Sequence, residues 1–336
     1  MLGVLGIGGF GRFPSCQAEP VSDSPPDWLS DYPSGAREAL EAALSGSLDP
    51  PIALTRLFLV LGNTDAIALL LARVEADARA VPNREGVRRI DALRELLSRD
   101  PGAFDKMRDV LAILHGQSPQ QPSQPAAIAK AFDAAAELSP AASVALYSLG
   151  DATLLGGATQ ELVSLLRLRG LISRKSRVLE IGCGIGRFAE ALAPEVQSFR
   201  GIDISKSMIR IARQRCGNLA NVAFSVTSGH DLHEHVDESF DLVLAVDSFP
   251  YIVATQSGLA ELHIKESARV LTPSGDLVIF NFAYDEEFGI SRERLRRFAH
   301  PAGLALLAAD PTPLRSWDGS FFHLRKQSSL TQFGLV

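Results

Sequence analysis

The spacing of apolar residues divides the chain into two parts with different periodicities. Between Asp27 and Gly116, apolar residues recur at intervals of three and four, which is the period of a helix that buries one face. Proline, glycine and asparagine interrupt this pattern at the expected helix ends. The pattern predicts an all-helical N-terminal domain over residues 27–116. Its helices are predicted at Ala36–Leu44, Ile52–Leu61, Thr64–Ala78, Val87–Ser98 and Ala103–His115.

The helical part is followed by a polar, proline-rich stretch. Residues 117–125 read Gln-Ser-Pro-Gln-Gln-Pro-Ser-Gln-Pro, a composition typical of a linker. Further helical patterns then cover Ala126–Glu137, Ala141–Leu149 and Ala158–Arg169. Residues 126–174 are therefore predicted to be a separate helical segment.

From residue 175 to residue 336, short apolar runs alternate with helical patterns. Alternation of buried strands with helices is typical of βαβ units, so it predicts an α/β fold with a doubly wound, mostly parallel sheet. Two runs near the end, Leu304–Ala308 and Phe321–Leu324, flank a turn at Asp310-Pro-Thr-Pro313 and predict an antiparallel hairpin at a sheet edge. The other strands are predicted at Arg177–Ile181, Ser198–Ile202, Val222–Val226, Leu242–Val246 and Leu277–Phe282.

Composition narrows the classes of protein that fit. A hydrophobic content of 46% and a charged content of 21% are typical of a globular protein. The net charge of −6 argues against binding nucleic acid through bulk electrostatics. The three cysteines, Cys16, Cys183 and Cys216, form no C-x-x-C pair, and no apolar run approaches the ~20 residues of a membrane span. We expect a cytoplasmic protein without a metal site.

Two glycine-rich stretches are candidates for ligand binding, and the first lacks the required context. Gly6, Gly8 and Gly11 fit the pattern G-x-G-x-x-G and resemble the opening of glyceraldehyde-3-phosphate dehydrogenases. That pattern binds phosphate only when a helix follows it. Here Pro14 and Pro20 lie too close to the glycines for such a helix. Residues 1–26 are therefore predicted to be a flexible leader.

The second glycine stretch has the context that the first lacks. A buried strand at residues 178–181 leads into Gly182-Cys-Gly-Ile-Gly186, and a helix follows from Phe188. Ligands bind in the crevice at the carboxyl end of such a strand, where glycines let the backbone approach them closely. Asp203 ends the next strand, where a carboxylate can accept hydrogen bonds from ribose hydroxyls.

The pattern Glu180-x-Gly182-x-Gly184-x-Gly186 resembles motif I of the class I (Rossmann-like) S-adenosylmethionine-dependent methyltransferases. Later motifs follow in the family's order. Residues 239–243 read Ser-Phe-Asp-Leu-Val, similar to the entry of the family's fourth strand. Residues 268–275 read Ala-Arg-Val-Leu-Thr-Pro-Ser-Gly, similar to its A-R-V-L-x-P-G-G turn. The resemblance covers about residues 175–282 and implies S-adenosylmethionine as cofactor and methyl donor.

Two other functions remain as alternatives. An NAD-dependent oxidoreductase would need only the glycine loop and Asp203, so the later motifs disfavour it. A non-catalytic donor-binding or scaffolding protein is the second alternative, in which the N-terminal helices recruit a partner.

The resemblance also implies which residues bind the donor. Ser228 stands where many relatives have an acidic residue that contacts the adenine. The adenine-binding position therefore stays open among Ser228, Gly229 and Asp231. The resemblance further implies that residues 126–174 form a lid over the donor, with Tyr147 and Asp151. The predicted donor-binding set is Glu180, Gly182, Cys183, Gly184, Gly186, Asp203, Ile204, Met208, Ser228, Gly229, Asp231 and Val246.

The segment after the fourth strand is predicted to face the acceptor. It reads Asp247-Ser-Phe-Pro-Tyr251, in which Asp247 is the first candidate for a general base and Tyr251 the second. The segment is superficially similar to the D-P-P-Y motif of enzymes that methylate amino nitrogens of bases, but Ser248 and Phe249 depart from it. We therefore expect a small-molecule acceptor, with a protein acceptor as the alternative.

One cluster of histidines is a candidate metal site by residue type alone. Residues 230–235 read His-Asp-Leu-His-Glu-His, but this spacing fits neither a helical H-E-x-x-H motif nor a zinc finger. A polar loop that borders the adenine pocket is the favoured interpretation.

Overall fold

The computed structural model describes residues 30–80, 84–100, 102–115, 124–255, 258–284 and 286–328. The predicted leader, with its glycine stretch and Cys16, lies outside the described residues. So do residues 117–123 of the predicted linker.

The N-terminal part of the chain is helical, as predicted. Its helices share one apolar core, in which Leu40, Leu54, Leu70 and Phe104 are almost completely buried. Phe58 joins this core with its ring 5.1 Å from that of Phe104. The helices are α1 (Ser34–Ser45), α2 (Pro50–Leu61), α3 (Thr64–Ala80), α4 (Arg84–Arg99) and α5 (Ala103–His115).

Three more helices precede the sheet, namely α6 (Pro125–Leu138), α7 (Pro140–Val144) and α8 (Ala152–Leu168). The prediction of one continuous helix over Ala141–Leu149 is wrong. Ala145 adopts an extended conformation with φ −163° and ψ 98°, so α7 stops at Val144. A single 3₁₀ turn, Leu146–Ser148, follows it, and Leu149 ends that turn in the left-handed region.

A seven-stranded sheet forms the other part of the structure, and it confirms the predicted α/β class. The strand order is β3-β2-β1-β4-β5-β7-β6, with parallel pairing from β3 to β5. The last two strands pair antiparallel with each other, and β7 pairs antiparallel with β5, which confirms the predicted hairpin. The strands are β1 (Arg177–Ile181), β2 (Ser198–Asp203), β3 (Val222–Val226), β4 (Phe240–Val246), β5 (Leu271–Phe280), β6 (Leu304–Asp310) and β7 (Phe321–Lys326).

Helices cover both faces of the sheet because successive residues of a strand point to opposite sides. In β1, Val178 packs into the core with α8 and the helices that follow β1 and β2. Its neighbour Leu179 packs into a second core on the opposite face. The remaining helices are α9 (Arg187–Leu192), α10 (Lys206–Cys216), α11 (Phe249–Ala254), α12 (Leu259–Val270) and α13 (Phe288–Ala299).

The strand order places a crevice at the carboxyl end of β1. This strand lies between β2 and β4, so the direction in which the sheet grows reverses here. Open α/β sheets bind ligands at such a switch point. The prediction that β5 extends to Phe282 is wrong, because Asn281 has a φ of +62° and turns the chain at the same edge of the sheet.

Candidate functional site

The glycine loop after β1 is held in a tight turn against the neighbouring strands. The amides of Gly182 and Cys183 both donate to the carbonyl of Ile202, at 2.8 and 3.0 Å. Gly182 has a φ of +73°, and a Cβ added there would lie 2.4 Å from Cβ of Ser248. Only glycine fits this position, since the backbone conformation and the space both exclude a side chain.

Asp203 ties the glycine loop to the end of β2. One carboxylate oxygen accepts the Gly184 amide at 2.9 Å, and the other accepts the Ser205 amide at 2.8 Å. Burial raises the pKa of Asp203 to about 6, although these backbone hydrogen bonds act in the opposite direction. A carboxylate has about four acceptor sites, so each oxygen retains the capacity for one more donor.

Glu180 is a buried carboxylate beside the same loop. Its side chain is 1% exposed, and its Oε2 has no hydrogen-bond partner among the described residues. Burial raises the pKa of Glu180 well above its ordinary value, and the charge of Arg187 opposes this rise. A buried carboxylate oxygen without a partner is costly, so this one is suited to receive a cationic or hydrogen-bonding ligand group.

Asp247 follows β4 and is surrounded by hydrogen-bond donors. Its Oδ1 accepts from the Asn281 amide group at 2.6 Å and lies 3.5 Å from the Tyr284 hydroxyl. Its Oδ2 accepts from the indole N–H of Trp317 at 3.1 Å. Burial raises the pKa of Asp247, while Arg187 and these hydrogen bonds lower it. The φ of +56° at Asp247 is unusual for a residue other than glycine and marks a strained turn.

Aromatic residues line the region around Asp247. The ring of Tyr251 lies edge-on to that of Phe132 at 4.9 Å and to that of Tyr284 at 6.0 Å. The hydroxyl of Tyr147 accepts a hydrogen bond of 3.2 Å from the buried guanidinium of Arg187. Burial is the main cause of the raised pKa of Tyr251. The phenol of Tyr251 is therefore protonated at neutral pH.

Helices α6 and α7 lie over the crevice. A Cβ added at Gly184 would lie 2.7 Å from a methyl group of Val144, so α7 packs directly on the glycine loop. In α6, the Asp133 carboxylate accepts hydrogen bonds from the Ser205 hydroxyl at 2.6 Å and from the Ser207 amide at 2.9 Å. Helices α6 and α7 thus contact the residues that follow β1 and β2.

The loop after β3 borders the same crevice. Ser228 is exposed, while Gly229 adopts a φ of +77° close to Ile204 and Pro125. The Gly229 carbonyl lies 3.0 Å from Nε2 of His263, whose buried Nδ1 has no partner among the described residues.

The remaining predicted donor-binding residues lie in different surroundings. Cys183 is buried within the glycine loop, and Val246 is buried at the end of β4. Burial raises the pKa of the Cys183 thiol well above its ordinary value. Met208 is buried in the core beside α9, and its amide donates to the hydroxyl of Ser205, the N-cap of α10. Asp231 is hydrogen-bonded to His233.

Neither a candidate metal site nor a single membrane-spanning helix is present among the described residues. No group of three or more His, Cys, Asp or Glu residues there is arranged to hold a metal ion. Within the same ranges, no single helix has the length and apolar character to cross a membrane. Pro50–Leu61 and Thr64–Ala76 meet those criteria only as a pair, bent by 119°.

Several residues of the site were not identified from the sequence. Asn281 and Trp317 both donate to Asp247, and Asp133 anchors α6 to the end of β2. Asn281 lies inside the predicted strand Leu277–Phe282, and the signal available was a polar residue near the end of an otherwise apolar run. Trp317 and Asp133 reach the site through tertiary packing, which their local sequence does not indicate.

Part of the chain is similar to known methyltransferases. Residues 178–275 match the family model described as Methyltransferase domain. A demethylmenaquinone methyltransferase of Tropheryma whipplei (strain Twist) is 33% identical over 141 residues, covering 42% of this chain and 56% of that protein. Nodulation protein S of Rhizobium tropici is 28% identical over 137 residues, covering 40% and 51%. The chain spans about half the length of these curated relatives.

Solved structures that match part of the chain include a methyltransferase. The N-methyltransferase NodS from Bradyrhizobium japonicum WM9, in complex with S-adenosyl-l-homocysteine, is 21% identical with a TM-score of 0.42. The match covers 53% of this chain and 90% of that one.

Proposed function

We propose that this chain, which carries a class I S-adenosylmethionine-dependent methyltransferase domain, transfers a methyl group from S-adenosylmethionine to a small molecule. The observation that carries the proposal is the pair of buried carboxylates, Glu180 and Asp203, on either side of the glycine loop. One has an oxygen without a partner, and the other has spare acceptor capacity on both oxygens. A ribose-bearing donor with a positive charge complements both.

Each part of the donor then has a position in the crevice. Glu180 would receive the ammonium group, since its partnerless oxygen is buried beside the loop. Asp203 would accept hydrogen bonds from the two ribose hydroxyls. The loop after β3 would contact the adenine, with Ser228, Gly229 and Asp231 as the open alternatives. The backbone of Gly182–Gly186 would pass close to the donor.

The bound donor supplies a sulfonium-activated methyl group, so the protein's part is alignment, exclusion of water and removal of a proton. The acceptor's lone pair forms the new bond to the methyl carbon, the carbon–sulfur bond breaks, and its electron pair stays on sulfur. Asp247 is the proposed base for the acceptor's proton. Tyr251 is the weaker candidate, because burial raises its pKa and keeps it protonated.

The acceptor is proposed to be a small molecule rather than a protein. The region around Asp247 is lined by Tyr147, Tyr251 and Tyr284, which suit a compact organic molecule. The relatives' names include a demethylmenaquinone methyltransferase and a ubiquinone biosynthesis O-methyltransferase, and both names refer to small molecules. A cytoplasmic location is part of the same proposal.

We propose that residues 126–174 act as a lid over the donor. The contacts of Val144 with the glycine loop and of Asp133 with Ser205 support this role. The backbone amides of α7 should exchange hydrogen more slowly once S-adenosylhomocysteine is bound. Unchanged exchange in α7 would contradict the lid.

Donor affinity is expected to depend on pH through Asp203. Its pKa is raised to about 6, so the ionised form that accepts the ribose hydroxyls is lost as the pH falls below 6. S-adenosylhomocysteine should bind about tenfold more weakly at pH 5 than at pH 7, since roughly a tenth of the carboxylate remains ionised at pH 5. Calorimetric titrations at both values measure the ratio. In Asp203→Asn the ratio should shrink, and an unchanged ratio would assign the pH dependence to another group.

The raised pKa of Asp203 makes the pH dependence of stability run opposite to that of donor affinity. Between about pH 4 and pH 6 the folded state holds a proton on Asp203 that the unfolded state has already lost. The contribution of this group to stability is therefore present below pH 4 and is lost as the pH rises through 6.

The proposed reaction is tested by incubating the full chain with methyl-labelled S-adenosylmethionine and a metabolite extract. Mass spectrometry should find the label in a small molecule, and an Asp203→Ala sample serves as the background. Label found only in protein would contradict the small-molecule acceptor. Donor binding without transfer to any acceptor would favour a scaffolding role.

A further inference from the structure

The loop between β6 and β7 brings a side chain to the acceptor region. We call residues 315–320 the Trp317 loop. The indole of Trp317 is 1% exposed, packs edge-on against Phe280 at 5.2 Å and donates to Asp247 at 3.1 Å. Ser320 pairs with Asn281 through two hydrogen bonds of 2.7 and 2.9 Å. Asn281 in turn donates to the other oxygen of Asp247.

The other side of the Trp317 loop is fixed by the N-terminal helices. The guanidinium of Arg56, in α2, forms an ion pair of 2.9 Å with Asp318, and both side chains are mostly buried at 16% and 31% exposure. The backbone amide of Asp49, which caps α2, donates to the carbonyl of Arg315 at 3.1 Å. Two separate contacts thus join α2 to a loop more than 250 residues later in the chain.

A third contact comes from α8. The carboxylate of Glu161 accepts hydrogen bonds from both the amide and the hydroxyl of Ser316. The residues on both sides of Trp317 are therefore held, Ser316 by α8 and Asp318 by α2. An indole whose two neighbours are fixed has little freedom to leave Asp247.

We infer that Arg56 and Asp318 are positioning residues, through which helix α2 of the N-terminal part fixes Trp317 on Asp247 and so shapes the acceptor side of the site. The N-terminal helices would then complete the site as well as form a separate core. The inference rests on the proposed function only in treating Asp247 as part of the acceptor site.

The titration of Asp247 can be followed by tryptophan fluorescence, because the indole of Trp317 donates a hydrogen bond to its carboxylate. The charged and titratable groups in electrostatic reach of it come from several elements, namely Arg187, Asp318, Tyr147, Tyr251 and Tyr284. Burial raises the pKa of Asp247, and the Trp317 hydrogen bond lowers it. Displacing the indole should therefore raise the pKa of Asp247 further.

The test uses tryptophan emission in the full chain. The sequence contains two tryptophans, so Trp28→Phe leaves Trp317 as the sole reporter. In this background, emission is followed against pH for Arg56→Met, Arg56→Lys, Asp318→Ala and the Arg56→Met/Asp318→Ala double variant. Arg99→Met is the matched control, because Arg99 pairs with Glu95 on the surface of α4, at 3.4 Å. Asp247→Asn identifies which transition belongs to Asp247.

Arg56→Met should raise the Asp247 midpoint by about half a pH unit or more, the size expected for one lost hydrogen bond. Asp318→Ala also removes a negative charge that itself raises the pKa of Asp247, so any rise of the midpoint in this variant must come from displacement of the indole. The double variant should add nothing further, Arg56→Lys should give a smaller shift, and Arg99→Met should give none. If Arg56→Met does not fold, Arg56→Lys and Asp318→Ala carry the comparison.

Two results would overturn the inference. The first is an unshifted midpoint in Asp318→Ala and the Arg56 variants even where their stability falls, which would leave the ion pair a purely structural role. The second is the absence of any emission transition that depends on Asp247. Neither outcome depends on donor or acceptor binding, so the inference can fail while the proposed function stands, and the reverse.

Discussion

Replacing Asp203 with alanine is expected to weaken S-adenosylhomocysteine binding by about a hundredfold or more, because two charge-assisted hydrogen bonds to the ribose would be lost. The substitution also leaves the amides of Gly184 and Ser205 without their acceptor, so the glycine loop loses its tie to β2. Calorimetric titration of the folded variant measures the loss.

Two further variants separate charge from position. Asp203→Asn keeps the shape of the side chain and should lose most of the affinity, since the amide accepts less strongly than the carboxylate. Asp241→Asn is the matched control, because Asp241 binds Arg177 at the opposite end of the sheet. It should lose stability but keep donor affinity within about twofold, as expected for a distant site. Full affinity in Asp203→Ala would remove this residue from the donor site.

Gly182→Ala is expected to be the most damaging small substitution in the loop. The new methyl group would lie 2.4 Å from Cβ of Ser248 at a φ of +73°, so the backbone conformation and the contact both oppose it. Left-handed strain costs about 1–2 kcal/mol and overpacking about 1–3 kcal/mol. The free energy of unfolding should fall by about 2–5 kcal/mol in denaturant titration, with loss of donor binding.

Gly170→Ala provides the control for strain alone. Gly170 has a similar φ of +66°, but nothing lies within 4 Å of its added Cβ. Gly170→Ala should lower the free energy of unfolding by about 1–2 kcal/mol and leave donor affinity unchanged. Equal losses in the two variants would mean that the contact with Ser248 relaxes at no cost and that the loop tolerates a side chain.

The sheet was predictable from the sequence because its central strands, such as β1 and β4, are buried on both faces. Runs such as residues 178–181 and 242–246 are almost continuously apolar, and strands alternating with helices restrict the sheet to a few topologies. The ends of elements were less predictable. Ala145 stops α7 although alanine favours helices, and Asn281 ends β5 inside an apolar run. Tertiary contacts decide both positions.

The proposed donor side of the site was also more predictable than the proposed acceptor side. Glu180, Gly182–Gly186 and Asp203 lie at strand ends whose place the topology determines. The hydrogen bonds from Trp317 to Asp247 and from Asp133 to Ser205 join residues 70 and 72 positions apart. No local pattern marks such pairs, because the packing of separate segments creates them.

Equilibrium binding shows whether the glycine loop after β1 belongs to a methyl-donor site. The full chain is titrated calorimetrically with S-adenosylhomocysteine and, in parallel, with NAD. We predict saturable binding of S-adenosylhomocysteine near one equivalent per chain and no heat of binding with NAD. Binding of NAD alone, or of neither ligand to the folded protein, would rule out a methyl-donor site at this loop.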